Sequence, residues 1–171
     1  MKKFTTRKLV LAALFAALTC VATMSIRIPI YGTQGYIHPG DALVILCGVF
    51  LDPVSALLAA GIGSALADLL GGYFIYVPIT FAIKGLVAFC GSQLYHGHLG
   101  ASLHPQAAVA FCGVIDIVFV ALGYCLCEIF LYGLPAAVAS VPSNIVQGVS
   151  GLVIAFILYP LLHGAFERIS A

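Results

Sequence analysis

The stretch Pro53-Val-Ser-Ala-Leu-Leu-Ala-Ala-Gly-Ile-Gly-Ser-Ala-Leu-Ala-Asp68-Leu-Leu-Gly-Gly72-Tyr73-Phe-Ile-Tyr76-Val-Pro-Ile-Thr80-Phe-Ala-Ile-Lys84-Gly85 decides how this chain reads. Two apolar runs, Pro53 to Leu70 and Pro78 to Leu94, flank a Gly-Gly-Tyr turn, and each carries one ionisable residue, Asp68 or Lys84. A charge at mid-helix depth in a bilayer costs roughly 2.5–3.5 kcal/mol on insertion scales, so such groups face a protein interior or a wet cavity and find partners. One is an acid and the other a base. Across so short a turn they are expected to neutralise each other or to grip a polar ligand.

The rest of the chain has the same character. Its 171 residues are 63% hydrophobic and only 8% charged, with mean hydropathy +1.16. A soluble domain needs roughly a quarter or more of its surface charged, so the class is a polytopic helical membrane protein. Strands of a membrane barrel would alternate over about ten residues; here the apolar runs are continuous and rich in Ala, Leu and Gly. The net charge of +1 gives no ground for a nucleic-acid partner. The six cysteines are scattered through apolar runs without a C-x-x-C pair, so they read as small hydrophobes rather than zinc ligands. Lys2, Lys3, Arg7 and Lys8 ahead of the Leu9 to Met24 run imitate a signal peptide, but no convincing small-x-small cleavage site follows. The run is expected to stay as a first helix.

About 20 apolar residues cross a bilayer. Six spans are predicted: Leu9 to Ile26, Asp41 to Leu51, Val54 to Leu70, Pro78 to Tyr95, Ala107 to Phe130, and Pro142 to Leu162. The second is short for a full crossing and needs tilt or extension by the preceding loop. Arg27 to Gly40, His96 to Gln106 and Tyr132 to Val141 read as loops, with Pro142 in a helix first turn. The expectation is one all-α transmembrane domain over residues 1–171. Five of the seven basic residues lie at the chain ends (Lys2, Lys3, Arg7, Lys8 and Arg168), which puts both termini in the cytoplasm.

With that topology the intramembrane polar groups gather at the outer ends of helices two to six. Asp41 starts the second helix and Asp68 ends the third. Tyr73 and Tyr76 lie between the third and fourth, and Thr80 and Lys84 stand one turn apart on the fourth. Glu128 ends the fifth helix, with Tyr124 a turn below and Tyr132 just beyond. Asn144 and Gln147 share a face of the sixth. A substrate pocket roofed by the loops around Tyr31–His38 and Leu131–Ser140 is the simplest reading. Each residue also has a plainer one. Asp41 suits a helix start, Tyr73 and Tyr76 suit an interfacial belt, Asn144 and Gln147 can glue helices, and Asp68 and Lys84 can form a structural ion pair. Asp116 lies about 120° round the fifth helix from Glu128 and reads as a helix-contact residue. The cluster His96, His98 and His104 lies in a loop at the opposite end, with no carboxylate or cysteine to complete a metal site. On the first helix, Ala12, Ala13, Ala16 and Ala17 form two overlapping small-x-x-x-small patterns, suited to internal packing or to docking a second membrane protein.

Taken in order, the first-helix Ala pattern, Gly35-Tyr-Ile-His-Pro-Gly-Asp41, Gly61-Ile-Gly-Ser-Ala-Leu-Ala-Asp68, Tyr76-Val-Pro-Ile-Thr-Phe-Ala-Ile-Lys84-Gly85 and Pro142-Ser-Asn144-Ile-Val-Gln147-Gly148 resemble the substrate-binding S components of energy-coupling-factor (ECF) vitamin transporters, closest to the riboflavin-type group. The resemblance implies a six-helix S-component fold that binds a vitamin near the extracellular face. It also implies a transmembrane coupling protein and two ATP-hydrolysing subunits as partners, in a bacterial plasma membrane. Ala12 and Ala16, or the register Ala13 and Ala17, match the family's coupling-protein contact. The chain has no G-x-x-x-x-G-K-[ST] phosphate loop, so ATP hydrolysis falls to a partner and no cofactor of its own is expected. Lys84, the carboxylates, the tyrosines and the amides suit a small, polar, partly aromatic ligand. A B6 vitamer or a thiamine-precursor pyrimidine fits best, with riboflavin and pantothenate open. A self-sufficient proton-coupled transporter, with Asp68, Asp116 and Lys84 as relay, should show an inverted repeat; residues 90–171 hold no counterpart of the Asp68 to Lys84 segment. An intramembrane enzyme should show a metal motif or a nucleophile–base pair, and neither is evident.

Overall fold

The computed structural model describes residues 5–30 and 35–170. Lys2, Lys3, the Tyr31 end of the expected roof and the Arg168 side chain fall outside that description. α1 (Thr6–Ser25) starts at Thr5, whose side chain accepts from the Lys8 amide. An antiparallel ribbon follows, pairing β1 (Ile28–Pro29) with β2 (Tyr36–Ile37) in the register Ile28 to Ile37 and Pro29 to Tyr36. Then come α2 (Asp41–Phe50), α3 (Pro53–Gly71), α4 (Val77–His96), the short α5 (His98–Ser102), α6 (Pro105–Tyr132) and α7 (Leu134–Ser170). Pro53, Pro78 and Pro105 sit in first turns, where a missing N–H costs nothing. Asp52 caps α3 by accepting from the Ser55 amide. Gly72 ends that helix at φ +82°, which lets the Tyr73 amide reach the Asp68 carbonyl at 2.8 Å.

Five helices, α1, α3, α4, α6 and α7, are long and apolar enough to cross a membrane. The expected second span is not among them. Pro39-Gly40 and Asp52-Pro53 bracket α2 at 10 residues, ~15 Å of helix against a hydrocarbon core of about 30 Å. Nine of those residues are buried, and α2 touches all five long helices. It is the core of the bundle rather than one of its walls. The length above Asp41 that a full span would occupy is filled by the ribbon and by the cavity described below.

The sixth expected span also begins elsewhere. Residues 134–141, read as loop, form the first two turns of α7 after a one-residue break at Gly133 (φ +84°). Pro142 therefore lies inside a helix, where it removes one backbone hydrogen bond. The extension holds because Ser140 ties it down, donating to the Glu128 carboxylate on α6 as well as to the Ala137 carbonyl. The expected loop of residues 96–106 contains α5.

Large side chains such as Leu14 and Leu18 on α1, Leu58, Ile62 and Leu66 on α3, and Leu122 and Leu126 on α6 point outward, as lipid-facing surfaces do. Small residues face inward. A Cβ added at Gly63 would lie 2.4 Å from the Ala16 carbonyl oxygen, so α1 and α3 meet backbone to backbone. Gly63→Leu is expected to cost ~1–3 kcal/mol or more by overpacking and to lower the unfolding temperature in detergent. Ile62→Leu, at the outward-facing residue just before it, should leave it unchanged. Equal unfolding temperatures for the two variants would show that the helices do not meet at Gly63. The same contact separates the two alanine registers of α1: Ala12 and Ala16 pack against the core, whereas Ala13 and Ala17 are exposed.

Candidate functional site: a polar cavity at the ribbon end of the bundle

Because the long helices run in alternating directions from α3 onward, the last turns of α3 and α6 meet the first turns of α4 and α7 at the end that carries the ribbon. A cavity opens among them. Its volume is about 350 Å³. Its wall comprises Asp68 from α3, Tyr76 and Thr80 from the start of α4, Tyr124 and Glu128 from α6, Asn144 and Gln147 from α7, and Ile30, Gly35, Tyr36 and His38 from the ribbon and its flanks.

Six of the ten expected site residues lie on this wall: Asp68, Tyr76, Thr80, Glu128, Asn144 and Gln147. Their hydrogen bonds run to one another and to neighbouring residues of the ribbon, α2, α6 and α7. Tyr76 donates to Glu128 Oε1 at 2.9 Å, and Ser140 donates to Glu128 Oε2. Thr80 and Tyr124 share a bond of 2.8 Å. Gln147 accepts from the His38 amide at 3.2 Å and donates to Asp41 Oδ2 at 2.9 Å, so one side chain ties the ribbon to α2.

The remaining four stand behind the wall. Lys84 and Asp41 are fully buried and form an ion pair at 2.5 Å beneath the cavity. The expected Asp68–Lys84 pair is therefore corrected: Lys84 takes Asp41, and Asp68 accepts from the Tyr36 hydroxyl at 2.7 Å. Depth explains the exchange. Lys84 lies two turns into α4, whereas Asp68 is in the final turn of α3, nearer the tip. The shortness of α2 brings Asp41 down to the lysine's level, at the positive end of its own helix dipole. Tyr73 packs on Tyr36 with ring centroids 4.5 Å apart, and the Arg27 guanidinium lies over both rings. Tyr132 stacks behind Tyr76 at 6.5 Å. Asp116, off the wall, is fully buried against α7, where a Cβ at Gly148 would lie 3.3 Å from its Oδ2. Asp41 and Lys84 are its charged neighbours.

Tyr36 and His38 were expected only as parts of a roof, not as individual wall residues. The signal was their spacing: residues two apart on an extended segment point the same way. His38 accepts from the Gly40 amide through Nδ1 at 3.1 Å. Burial holds its pKa below the ordinary imidazole value, with Asp41 opposing, so it is neutral at pH 7.

The architecture has relatives. Residues 3–163, which take in all five long helices but for the last turns of α7, match the family of the ECF-type riboflavin transporter, S component. The chain belongs to this S-component family. The thiamine precursor transporter HmpT of Lactococcus lactis subsp. cremoris (strain MG1363) is 30% identical over 158 residues, covering 92% of this chain and 88% of its own. An uncharacterized protein in the gap 3′ region of Pyrococcus woesei is 35% identical over 134 residues, 78% of this chain and 86% of its own. As an S component the chain is a multi-pass membrane protein of vitamin transport, and its family is one of transporter subunits rather than enzymes.

Proposed function

We propose that this S component is the membrane-embedded, high-affinity binding subunit of an ECF importer in the bacterial plasma membrane, capturing a small polar vitamin or precursor from the extracellular side. The observation that carries this reading is the cavity: four helices and a ribbon commit acids, amides and tyrosines to one space inside an otherwise apolar bundle. Arg7 and Lys8 mark the opposite end, where Lys8 bridges to Asp52 at 3.0 Å, and the positive-inside rule makes that end cytoplasmic.

The substrate that fits best is a B6 vitamer or a thiamine-precursor pyrimidine. Tyr36, Tyr76 and Tyr124 offer faces for one flat ring, and Asn144 and Gln147 can read its polar edge. The name of the Lactococcus relative supports the pyrimidine. Energy comes from a transmembrane coupling protein and two ATPase subunits, docked through the exposed Ala13 and Ala17 stripe of α1 rather than through Ala12 and Ala16.

Mass spectrometry of the small molecule that co-purifies with the protein, joined to uptake assays with and without the coupling module, tests the reading. A single-ring vitamin or precursor, with uptake that needs the module, is the expected result. Uptake by the chain alone, driven by a proton gradient, would overturn it in favour of a secondary transporter.

A further inference from the structure

The free hydrogen-bonding groups of the cavity are lopsided. Most hydroxyls on or beside its wall are already committed: Tyr36 donates to Asp68, Tyr76 and Ser140 donate to Glu128, and Thr80 and Tyr124 share one bond, whereas the Tyr132 hydroxyl behind Tyr76 has no hydrogen-bond partner among the described residues. The two carboxylates keep acceptor capacity, because a carboxylate has about four lone-pair sites and Glu128 and Asp68 use only part of theirs on these donors. Among the described side chains of the wall, one buried nitrogen is wholly unpaired. Asn144 Nδ2 is buried on a residue only 4% exposed, lies on the cavity wall and has no hydrogen-bond partner among the described residues.

The charges are lopsided in the same sense. Two carboxylates line the cavity, and among the described residues no lysine or arginine does. Lys84 is behind the wall and bonded to Asp41. Arg27 lies over Tyr36 and Tyr73 and donates to the Ala67 carbonyl at 3.2 Å. His38, on the wall, is neutral. Nothing here can receive a phosphate or a carboxylate, and an anion would meet like charge in a confined, poorly solvated space.

We propose that the cavity selects a single-ring heteroaromatic amine, neutral or cationic, and rejects its phosphate ester and other anions, with Glu128 and Asp68 accepting from the ligand's N–H groups and Asn144 donating to a ring nitrogen or hydroxyl. The proposal rests on the vitamin-binding reading above and adds to it a rule of charge and donor pattern. The three tyrosine faces suit any flat ring, so discrimination falls to the carboxylates and the amide.

Calorimetric titration of the purified full-length protein in detergent tests this. The probes are 4-amino-5-hydroxymethyl-2-methylpyrimidine, its monophosphate and its 4-oxo counterpart, alongside pyridoxamine, pyridoxamine 5′-phosphate, riboflavin and pantothenate. At least one of the two amines should bind 100-fold or more tightly than its phosphate ester; if it is the pyrimidine, the 4-oxo counterpart should lose tenfold or more. Glu128→Gln should weaken the preferred amine by tenfold or more and narrow its lead over the ester. Should that variant not fold, Asp68→Asn should give the same pattern. Equal affinity for amine and ester, tightest binding of pantothenate or riboflavin, or undiminished amine binding in a folded variant would overturn the charge rule while leaving a vitamin-binding protein. If none of the seven probes binds and no vitamin co-purifies, the underlying reading falls, and this inference with it.

Discussion

Lys84→Met is expected to damage the fold itself, costing about 3–5 kcal/mol, the penalty for leaving one partner of a buried ion pair unpaired. Lys84 and Asp41 are both wholly inaccessible, and α2, which Asp41 begins, is the helix that touches all five long ones. For a chain of this size such a loss should lower the unfolding temperature by on the order of 10 °C. Asp41→Asn in the same chain removes the second charge of the pair and should recover most of the difference. Measured by thermal unfolding in detergent, a single variant as stable as the parent would mean that the pair does not form. A double variant no better than the single would place the cost in lost packing around the lysine stem instead. Ligand binding is expected to fall with stability in Lys84→Met, since Gln147 reaches from the cavity wall to the same Asp41.

Ala17→Trp and Ala13→Trp are expected to abolish uptake, by tenfold or more, with little effect on ligand binding to the isolated chain. Both alanines are exposed on the outward face of α1, beside Leu14 and Leu18. Small residues there let a partner helix approach closely, and an indole acts as a wedge. Ala12→Trp and Ala16→Trp should behave differently, because Ala16 lies against Gly63 of α3. Those two should destabilise the bundle and lose binding along with uptake. Co-purification with the coupling protein separates the cases. Uptake that survives Trp at both Ala13 and Ala17 would show that the chain works alone or docks through another surface.

Part of this could be read directly from the residues. Composition and continuous apolar runs require a helical membrane protein whatever the packing, since backbone groups in lipid must be satisfied within helices or closed barrels. Spacing within one helix was equally legible: Thr80 with Lys84, Tyr124 with Glu128, and Asn144 with Gln147 share faces because a helix turns by a fixed amount per residue. Gly72, Pro53 and Pro78 marked helix ends for local steric reasons. The order of these features along the chain was enough to bring the S-component family into view.

Relations between elements were not legible in the same way. Which acid meets Lys84 depends on the depth and rotation of three helices, and Asp41 wins over Asp68 because α2 is short and begins deep in the bundle. The choice between Ala12/Ala16 and Ala13/Ala17 as the inward register turns on where α3 lies, a fact absent from α1. Residues 134–141 looked like a loop because Pro135 and Pro142 punctuate them; the bond from Ser140 to Glu128, 12 residues back along the chain, makes them helix. Local sterics and lipid solvation are properties of a segment and are written in its residues. Buried partners are chosen by geometry across segments, where a shift of one helical turn exchanges one carboxylate for another.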